Sequence, residues 1–111
     1  MARNLLVSFE VRNWVKQGAL IAAAIEELGD AARVFGTVWY VRSKLTALQA
    51  AERVRDVLDP SDGLIVIDVS HNLVATCNVD DRTVEFMMRN WQRSLHGIPH
   101  IQANARPAEN V

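Results

Sequence analysis

The sequence predicts an α+β protein in which helices pack on one face of a small sheet. Segments rich in apolar, β-branched and aromatic residues predict strands, and between them lie segments whose apolar residues recur at helical spacing. A glycine inside the second strand segment marks either a bend in one strand or a division into two. At 111 residues the chain is long enough for one domain with a single modest core.

The first strand, Asn4 to Val11, is the segment around which we expect the fold to form. Leu5 to Val11 is apolar except for Ser8 and Glu10, and such a run predicts a central strand buried on both faces. Ser8 and Glu10 have the same parity, so both side chains leave the same face near the end of the strand.

A helix from Trp14 to Leu28 is predicted next, with Asn13 as its N-cap. Gly29 stands where a left-handed C-cap residue would lie. An apolar stripe follows spacings of four and three residues and consists of Trp14, Gly18, Ile21, Ile25 and Leu28, whereas Lys16, Gln17, Glu26 and Glu27 stay off it.

The segment Arg33 to Val41 is rich in β-branched and aromatic residues, which predicts a strand. Gly36 leaves two interpretations open. The segment is either one bent strand or two short strands, Ala32 to Phe35 and Val38 to Arg42, joined by a turn.

A second helix begins after Thr46, which forms a capping-box pattern with Gln49. It ends before Pro60, because proline cannot continue a helix and disfavours helical geometry in the residue before it. The apolar face of this helix consists of Ala47, Ala50, Ala51, Val54, Val57 and Leu58.

Leu64 to Val69 is the next predicted strand, and a weaker one, Leu73 to Asn78, follows it. The Ser70-His71-Asn72 turn between them favours a hairpin. Cys77 lies in the weaker strand, where we expect a small core residue rather than a reactive thiol.

Asp80 or Asp81 is expected to cap a third helix, and the residues after it are expected to form a tail. The apolar face of the helix consists of Val84, Met87, Met88, Trp91 and Leu95. Residues 96–111 show no periodicity, so we predict a domain over residues 1–95 and a loosely held tail beyond it.

The predicted order β-α-β(β)-α-β-β-α favours a ferredoxin-like topology, the commonest arrangement of two helices on one face of a small antiparallel sheet. If Gly36 does not divide its strand, a parallel α/β sheet is the alternative. We also predict a homodimer, because the weaker strand would be a bare edge. Three tryptophans, more than a core of this size readily hides, support the same prediction: Trp14, Trp39 and Trp91.

The bulk composition limits the classes of function. A formal charge of −1 gives no global field that attracts nucleic acid, so any such binding must come from local patches. A single cysteine excludes an internal disulfide and suits a reducing compartment. No apolar run is long enough for a membrane helix and no signal-peptide pattern is present, so we expect a cytoplasmic protein without a membrane partner.

No strong catalytic motif occurs, and two groups of residues are candidates for chemistry. Glu10 is either a solvated acid at the end of its strand or the carboxylate of a metal or acid–base site. Three basic residues flank the second strand segment around Trp39 and Tyr40. Such interleaving suits a nucleic-acid backbone with stacked bases, and the alternative is an ordinary strand with solvated ends. These basic residues are Arg33, Arg42 and Lys44.

Two short motifs resemble those of a known family. Phe9-Glu10-Val11 ends an apolar strand, and Arg33-Val34-x-x-Thr37-Val38-Trp39 follows in the next. With the order of the helices, they resemble small CRISPR-associated Cas-two proteins and, more closely, their SinR-like relatives, over roughly residues 3–94. Those proteins have a tyrosine-aspartate-aliphatic strand end, whose aspartate falls on Glu10. Their Arg-Val-x-x-Ser-Val-Phe strand places the arginine on Arg33, the serine on Thr37 and the phenylalanine on Trp39.

The resemblance implies a ferredoxin-like homodimer in which the strand-end acids face each other across a cleft. Glu10 would then bind Mg²⁺ or Mn²⁺ for phosphodiester hydrolysis, although glutamate reaches one methylene further than the aspartate of the family. The implied nucleic-acid contacts are Arg33, Thr37 and Trp39, to which the basic residues Arg42 and Lys44 are added. We expect a non-catalytic module of a defence-type system that binds nucleic acid or protein; the alternative is a metal-dependent nuclease with paired Glu10 carboxylates.

Overall fold

The computed structural model describes residues 2–72, 74–91 and 100–101. The chain divides into two compact units, Met1–Ser70 and His71–Val111. The elements of the first unit are β1 (Arg3–Glu10), α1 (Trp14–Glu26), β2 (Gly29–Phe35), β3 (Val38–Ser43), α2 (Ala47–Arg55) and β4 (Gly63–Asp68). Those of the second unit are β5 (Thr76–Cys77), α3 (Asp81–Trp91) and β6 (His100–Ile101).

The first unit contains a four-stranded antiparallel sheet with the strand order β2-β3-β1-β4. The predicted α+β class is therefore confirmed, and the alternative of a parallel sheet is wrong. β1 is central, as predicted, because Leu5 pairs with Val41 of β3 on one side and with Asp68 of β4 on the other. β2 and β4 are the edge strands.

Gly36 divides the second strand segment into two, which confirms the second of the two interpretations. It has a φ of +51° and forms the turn between β2 and β3 together with Thr37. Few residues other than glycine adopt this left-handed backbone without strain. β2 starts at Gly29, three residues earlier than predicted, and its pairing with β3 is irregular between Arg33 and Phe35.

The core lies between one face of the sheet and the two helices. Alternate residues of β1, namely Leu5, Val7 and Phe9, are buried there. They pack with Trp39 and Val41 of β3, Ile21 and Ile25 of α1, and Ala50 and Val54 of α2. Burial of β1 on both faces was predicted, but Leu6 and Ser8 on the opposite face are only partly buried.

We call the sheet face opposite α1 and α2 the outer face. The alternation of side chains and the strand register assign to it Leu6, Ser8 and Glu10 of β1, Val38 and Tyr40 of β3, and Ile65 and Ile67 of β4. This face is mixed in burial: Tyr40 is fully buried, whereas the two isoleucines are exposed. In β4 only Leu64 and Val66, whose side chains face the helices, are partly buried, and the other residues of the strand are exposed.

α1 begins where its cap predicts, because the Asn13 side chain accepts a hydrogen bond of 3.1 Å from the backbone N–H of Lys16. Two residues of this helix differ in burial from what the apolar stripe predicted. Gln17, placed off the stripe, is buried, and its side-chain N–H donates to the carbonyl of Val57 at 2.8 Å. That bond satisfies the buried amide. Trp14, placed on the stripe, is 49% exposed.

The prediction that Gly29 is the C-cap of α1 is wrong, because the helix ends at Glu26 with Glu27 as its cap. Gly29 is instead the first residue of β2. A Cβ atom there would overlap the backbone carbonyl oxygen of Arg42 and lie 3.1 Å from the Cα of Ser43. The close approach of β2 and β3, rather than the helix end, requires glycine at this position.

The predicted capping box of α2 is present. Thr46 Oγ1 accepts from the backbone N–H of Gln49 at 3.1 Å, and Gln49 Oε1 accepts from the N–H of Thr46 at 2.9 Å. The predicted apolar face is confirmed by the burial of Ala50 and Val54. The helix ends at Arg55, before Pro60.

The hairpin predicted between β4 and β5 is wrong for the described residues. β5 contains only Thr76 and Cys77 and pairs in parallel with β6. Asn78 directly after it has a left-handed φ of +59°, which ends the strand. Thr76 is buried and Cys77 is exposed, so the core position predicted for the thiol is also wrong. Successive strand residues face opposite sides, and here the threonine faces inward.

α3 is capped by Asp80, one of the two predicted residues. Its Oδ2 accepts from the backbone N–H of Thr83 at 3.2 Å. Val84 and Met87 are buried as predicted, whereas Met88 is partly exposed. The side chain of Trp91 and most of the predicted tail, residues 96–99 and 102–111, lie outside the described residues.

Candidate functional site

Glu10 lies at the end of β1, exposed, on the outer face. Its register partner is Gly63 of β4, where a Cβ atom would lie 3.9 Å from that of Glu10. Because Gly63 has no side chain, the carboxylate meets no side chain at its partner position. Across residues 2–72, 74–91 and 100–101, no three His, Cys, Asp or Glu residues group closely enough to hold a metal ion. Among these residues Glu10 therefore belongs to no such group.

The predicted nucleic-acid contacts lie at two ends of the sheet. Thr37 is in the β2–β3 turn, at the end of the sheet that also carries Glu10, and Arg33 is close to this end. Arg42 and Lys44 lie at the other end, where Arg42 pairs with Asn4 at the start of β1. Glu10 lies six residues further along β1 than Asn4, which corresponds to about 20 Å at the usual rise per residue. The structure therefore does not bring the five predicted contacts into one patch.

Arg42 is held by groups of its own sheet. Its guanidinium donates to Asn4 Oδ1 at 3.4 Å, and that oxygen also accepts a 2.7 Å hydrogen bond from the Tyr40 hydroxyl. Asp30 is its register partner on β2. These contacts make Arg42 part of a polar network on the outer face of the sheet.

Lys44 lines a surface groove whose charges are mixed. The groove lies where β2 begins, β3 ends and α2 passes, and Arg53 of α2 was not predicted to be near Lys44. Arg42 lines the groove as well, and Glu27 and Asp30 offset two of these three positive charges. A groove with both signs of charge is a weak attractor for a polyanion.

The structure reverses the predicted burial of Trp39 and Trp14. Trp39, the proposed stacking residue, is only 7% exposed and belongs to the core. Its ring has no open face for a base. Trp14, the proposed core residue, is 49% exposed at the first position of α1. The helix begins with this residue, shortly after β1 ends. That position is the only signal in the sequence that separates it from the residues of the stripe.

The indole of Trp14 is fixed from two sides. It stacks on Phe9, with ring centroids 5.9 Å apart and an angle of 12° between the ring planes. Gly18, one helical turn later, leaves room for it, since a Cβ atom at Gly18 would lie 3.2 Å from the indole. Arg12 and Lys16 lie two residues before and after it and are both exposed.

Asp62 joins the start of α1 to the loop before β4. The backbone N–H of Asp59 donates to its carboxylate at 2.9 Å, and the Gln17 side chain and the N–H of Arg12 donate at 3.4 and 3.3 Å. These bonds, with that of Asp59 as the largest contribution, lower the pKa of the Asp62 carboxyl from its ordinary value of 3.8. The carboxylate orders the loop beside Trp14.

We expect this network to make the protein sensitive to acid. A lowered pKa means that the charged carboxylate stabilises the fold above pH 3.8, and that this contribution is lost as the pH falls through the lower value of the folded state. The melting temperature of the wild type should therefore fall more steeply below that pH than the melting temperature of Asp62→Asn. Asp56→Asn, on the exposed side of α2, is the control. Parallel pH profiles for the wild type and Asp62→Asn would contradict the prediction.

Comparison with known proteins gives no family. No family model matches the chain, and no curated protein and no solved structure matches it. None of the helices among the described residues is long and apolar enough to span a membrane.

Proposed function

We propose that this chain is a homodimeric, non-catalytic nucleic-acid-binding module with ferredoxin-like topology, related to the Cas-two-like proteins of defence-type systems. The strand order β2-β3-β1-β4 supports the topology. So do the two connections β1-α1-β2 and β3-α2-β4, each of which passes over one intervening strand.

The observation that carries the dimer is the exposed apolar surface of β4. Ile65 and Ile67 are 54% and 47% exposed, side by side on the outer face. β4 is an edge strand, and the run 64–67 contains no charged residue that would discourage pairing. The other edge, β2, carries Asp30, Arg33 and an irregular register, which discourage it. An exposed apolar patch on an undefended edge favours an interface with a second copy of this chain.

A charge on this surface is expected to break the dimer. Light scattering of the wild type should give twice the chain mass of 12.4 kDa, and Ile65→Lys should give the single-chain mass. Burial of an unpaired ammonium in an apolar interface costs more than the patch contributes. Leu48→Lys, at an exposed position of α2, is the matched control and should remain dimeric. A monomeric wild type at micromolar concentration would contradict the proposal.

The surroundings of Glu10 favour a binding role over a catalytic one. Its neighbours on β4 are Gly63, Leu64 and Ile65, which have no side-chain oxygen or nitrogen for a cation. Ser8, on the same face of β1, adds a single hydroxyl group. Divalent cations such as Mg²⁺ bind most readily where carboxylates and other oxygen ligands converge.

The nuclease remains the second candidate because Glu10 lies on the same face as Ile65. A dimer formed through the outer face would bring two Glu10 carboxylates toward each other, and Mg²⁺ or Mn²⁺ would relieve their repulsion and activate a water. Our proposal expects no cleavage of RNA or DNA with either cation. If cleavage occurs and Glu10→Gln abolishes it while the variant keeps its melting temperature, the nuclease replaces the non-catalytic module.

Nucleic acid is favoured as the ligand by exposed cations that form no ion pair among the described residues. Arg33 and Lys44, both predicted contacts, form no ion pair with any residue that the structure describes. Such side chains are able to neutralise phosphates. Gel-shift titrations with single-stranded DNA, duplex DNA and RNA test the proposal. Failure to bind all three would overturn it and leave the protein-binding role.

A further inference from the structure

We infer that single-stranded nucleic acid binds at Trp14, with a base stacked on the indole and Arg12 and Lys16 contacting the neighbouring phosphates. The inference rests on the proposed function and names the form of nucleic acid and the residues that bind it. Trp14, Arg12 and Lys16 together are called the Trp14 platform.

The first argument is the combination of exposure and rigidity. Half of the Trp14 residue is open to solvent, yet its ring is stacked on Phe9 and lies against the Cα of Gly18. Because this contact already fixes the ring, a base that stacks on it costs little further side-chain entropy. Stacking of a base on an aromatic side chain contributes to affinity with little dependence on the identity of the base.

The second argument is the positive charge of two residues close to Trp14 in the sequence. Arg12 and Lys16 are exposed, and neither forms an ion pair with a described residue. The first turn of α1 contains no acidic residue. Two acids are close in the fold: Glu10 precedes the loop, and Asp62 accepts hydrogen bonds from the N–H of Arg12 and from other groups of the loop. The carboxylate of Asp62 accepts from two backbone N–H groups and from the Gln17 side chain, and the nearby charge of Arg12 also helps to lower its pKa. The side chains of Arg12 and Lys16 are exposed and long enough to contact phosphates.

The third argument concerns the form of the nucleic acid. In a duplex the bases are paired and stacked on each other, so none can lie flat on an exposed indole. A single strand presents unstacked bases, and every base has a face that stacks. An isolated aromatic platform with two flanking cations therefore selects single strands, with little preference for sequence.

The experiment is a fluorescence-anisotropy titration of the full chain with a labelled oligothymidylate and with a duplex of the same length. We expect the wild type to bind the single strand more tightly. Trp14→Leu, which keeps an apolar cover over Phe9, should weaken that binding by about tenfold or more. Trp14→Phe keeps a ring and should recover part of the loss. Lys16→Gln should lower the dependence of affinity on salt.

Leu20→Ala is the matched control, because Leu20 lies on the same helix and is 50% exposed. It should bind like the wild type. Single-strand binding that survives Trp14→Leu would overturn the Trp14 platform and leave the proposed function intact, as would an equal loss in Leu20→Ala. A wild type that binds no nucleic acid at all would overturn both.

Discussion

Gly29→Ala is expected to destabilise the fold by about 3 kcal/mol, because the new Cβ atom would overlap the backbone of β3. The nearest atom is the carbonyl oxygen of Arg42, which belongs to the sheet backbone and cannot move aside as a flexible side chain would. To accommodate the methyl group, β2 must separate from β3 at its first residue pair, Gly29 and Ser43. Equilibrium unfolding in urea measures the loss.

Gly36→Ala is the matched control for this prediction. Gly36 also has a positive φ, but no atom lies within 4 Å of the position that its Cβ would take. Only the backbone strain of a left-handed residue applies there, about 1 kcal/mol. If Gly29→Ala lowered the free energy of unfolding by no more than Gly36→Ala does, the close approach of β2 and β3 would be wrong.

Tyr40→Phe is expected to lower the free energy of unfolding by about 1–2 kcal/mol at neutral pH. The Tyr40 side chain is fully buried, and its hydroxyl donates to Asn4 Oδ1 at 2.7 Å. The phenyl ring keeps the shape but leaves a buried amide oxygen with one fewer donor. Thermal or urea unfolding of the two proteins gives the difference.

The same pair of proteins should respond differently to alkali. Burial raises the pKa of Tyr40 from 10.0 to about 12, against a smaller opposing effect of Arg42. A raised pKa stabilises the fold fully below pH 10.0 and loses this contribution as the pH rises toward 12. The stability advantage of the wild type over Tyr40→Phe should therefore shrink across that range. If the stability advantage of the wild type stayed constant across that pH range, the Tyr40 hydroxyl would have to be exposed to water.

Local signals in the sequence predicted much of the fold. The Thr46–Gln49 capping box and the Asn13 cap each depend on residues within one turn, so their side chains suffice to start a helix. Gly36 likewise marked the strand boundary because a left-handed turn needs glycine. The central position of β1 followed from its apolar length.

Other features depend on contacts between distant segments and were missed. Gln17 can be buried because its side-chain N–H donates a hydrogen bond to the carbonyl of Val57, forty residues away. Gly29 is required by the backbone of β3 rather than by its own helix. β5 is only two residues long, since Asn78 turns the chain, and its partner is β6 rather than β4.

The candidate site was predictable in part. Alternation along β1 correctly placed Glu10 on the same face as Ser8. The roles of the tryptophans were not predictable, because a helical stripe does not say where the sheet beneath it ends. Trp14 begins its helix at that end and remains half exposed, whereas Trp39, the second residue of β3, packs in the core with α1 and α2.

Sedimentation velocity, monitored through a fluorescent label on an oligothymidylate, tests the homodimeric nucleic-acid-binding module most directly. The account predicts that the oligonucleotide sediments with two copies of the 12.4 kDa chain. An oligonucleotide that sediments alone at every protein concentration, or with a single chain, would contradict it.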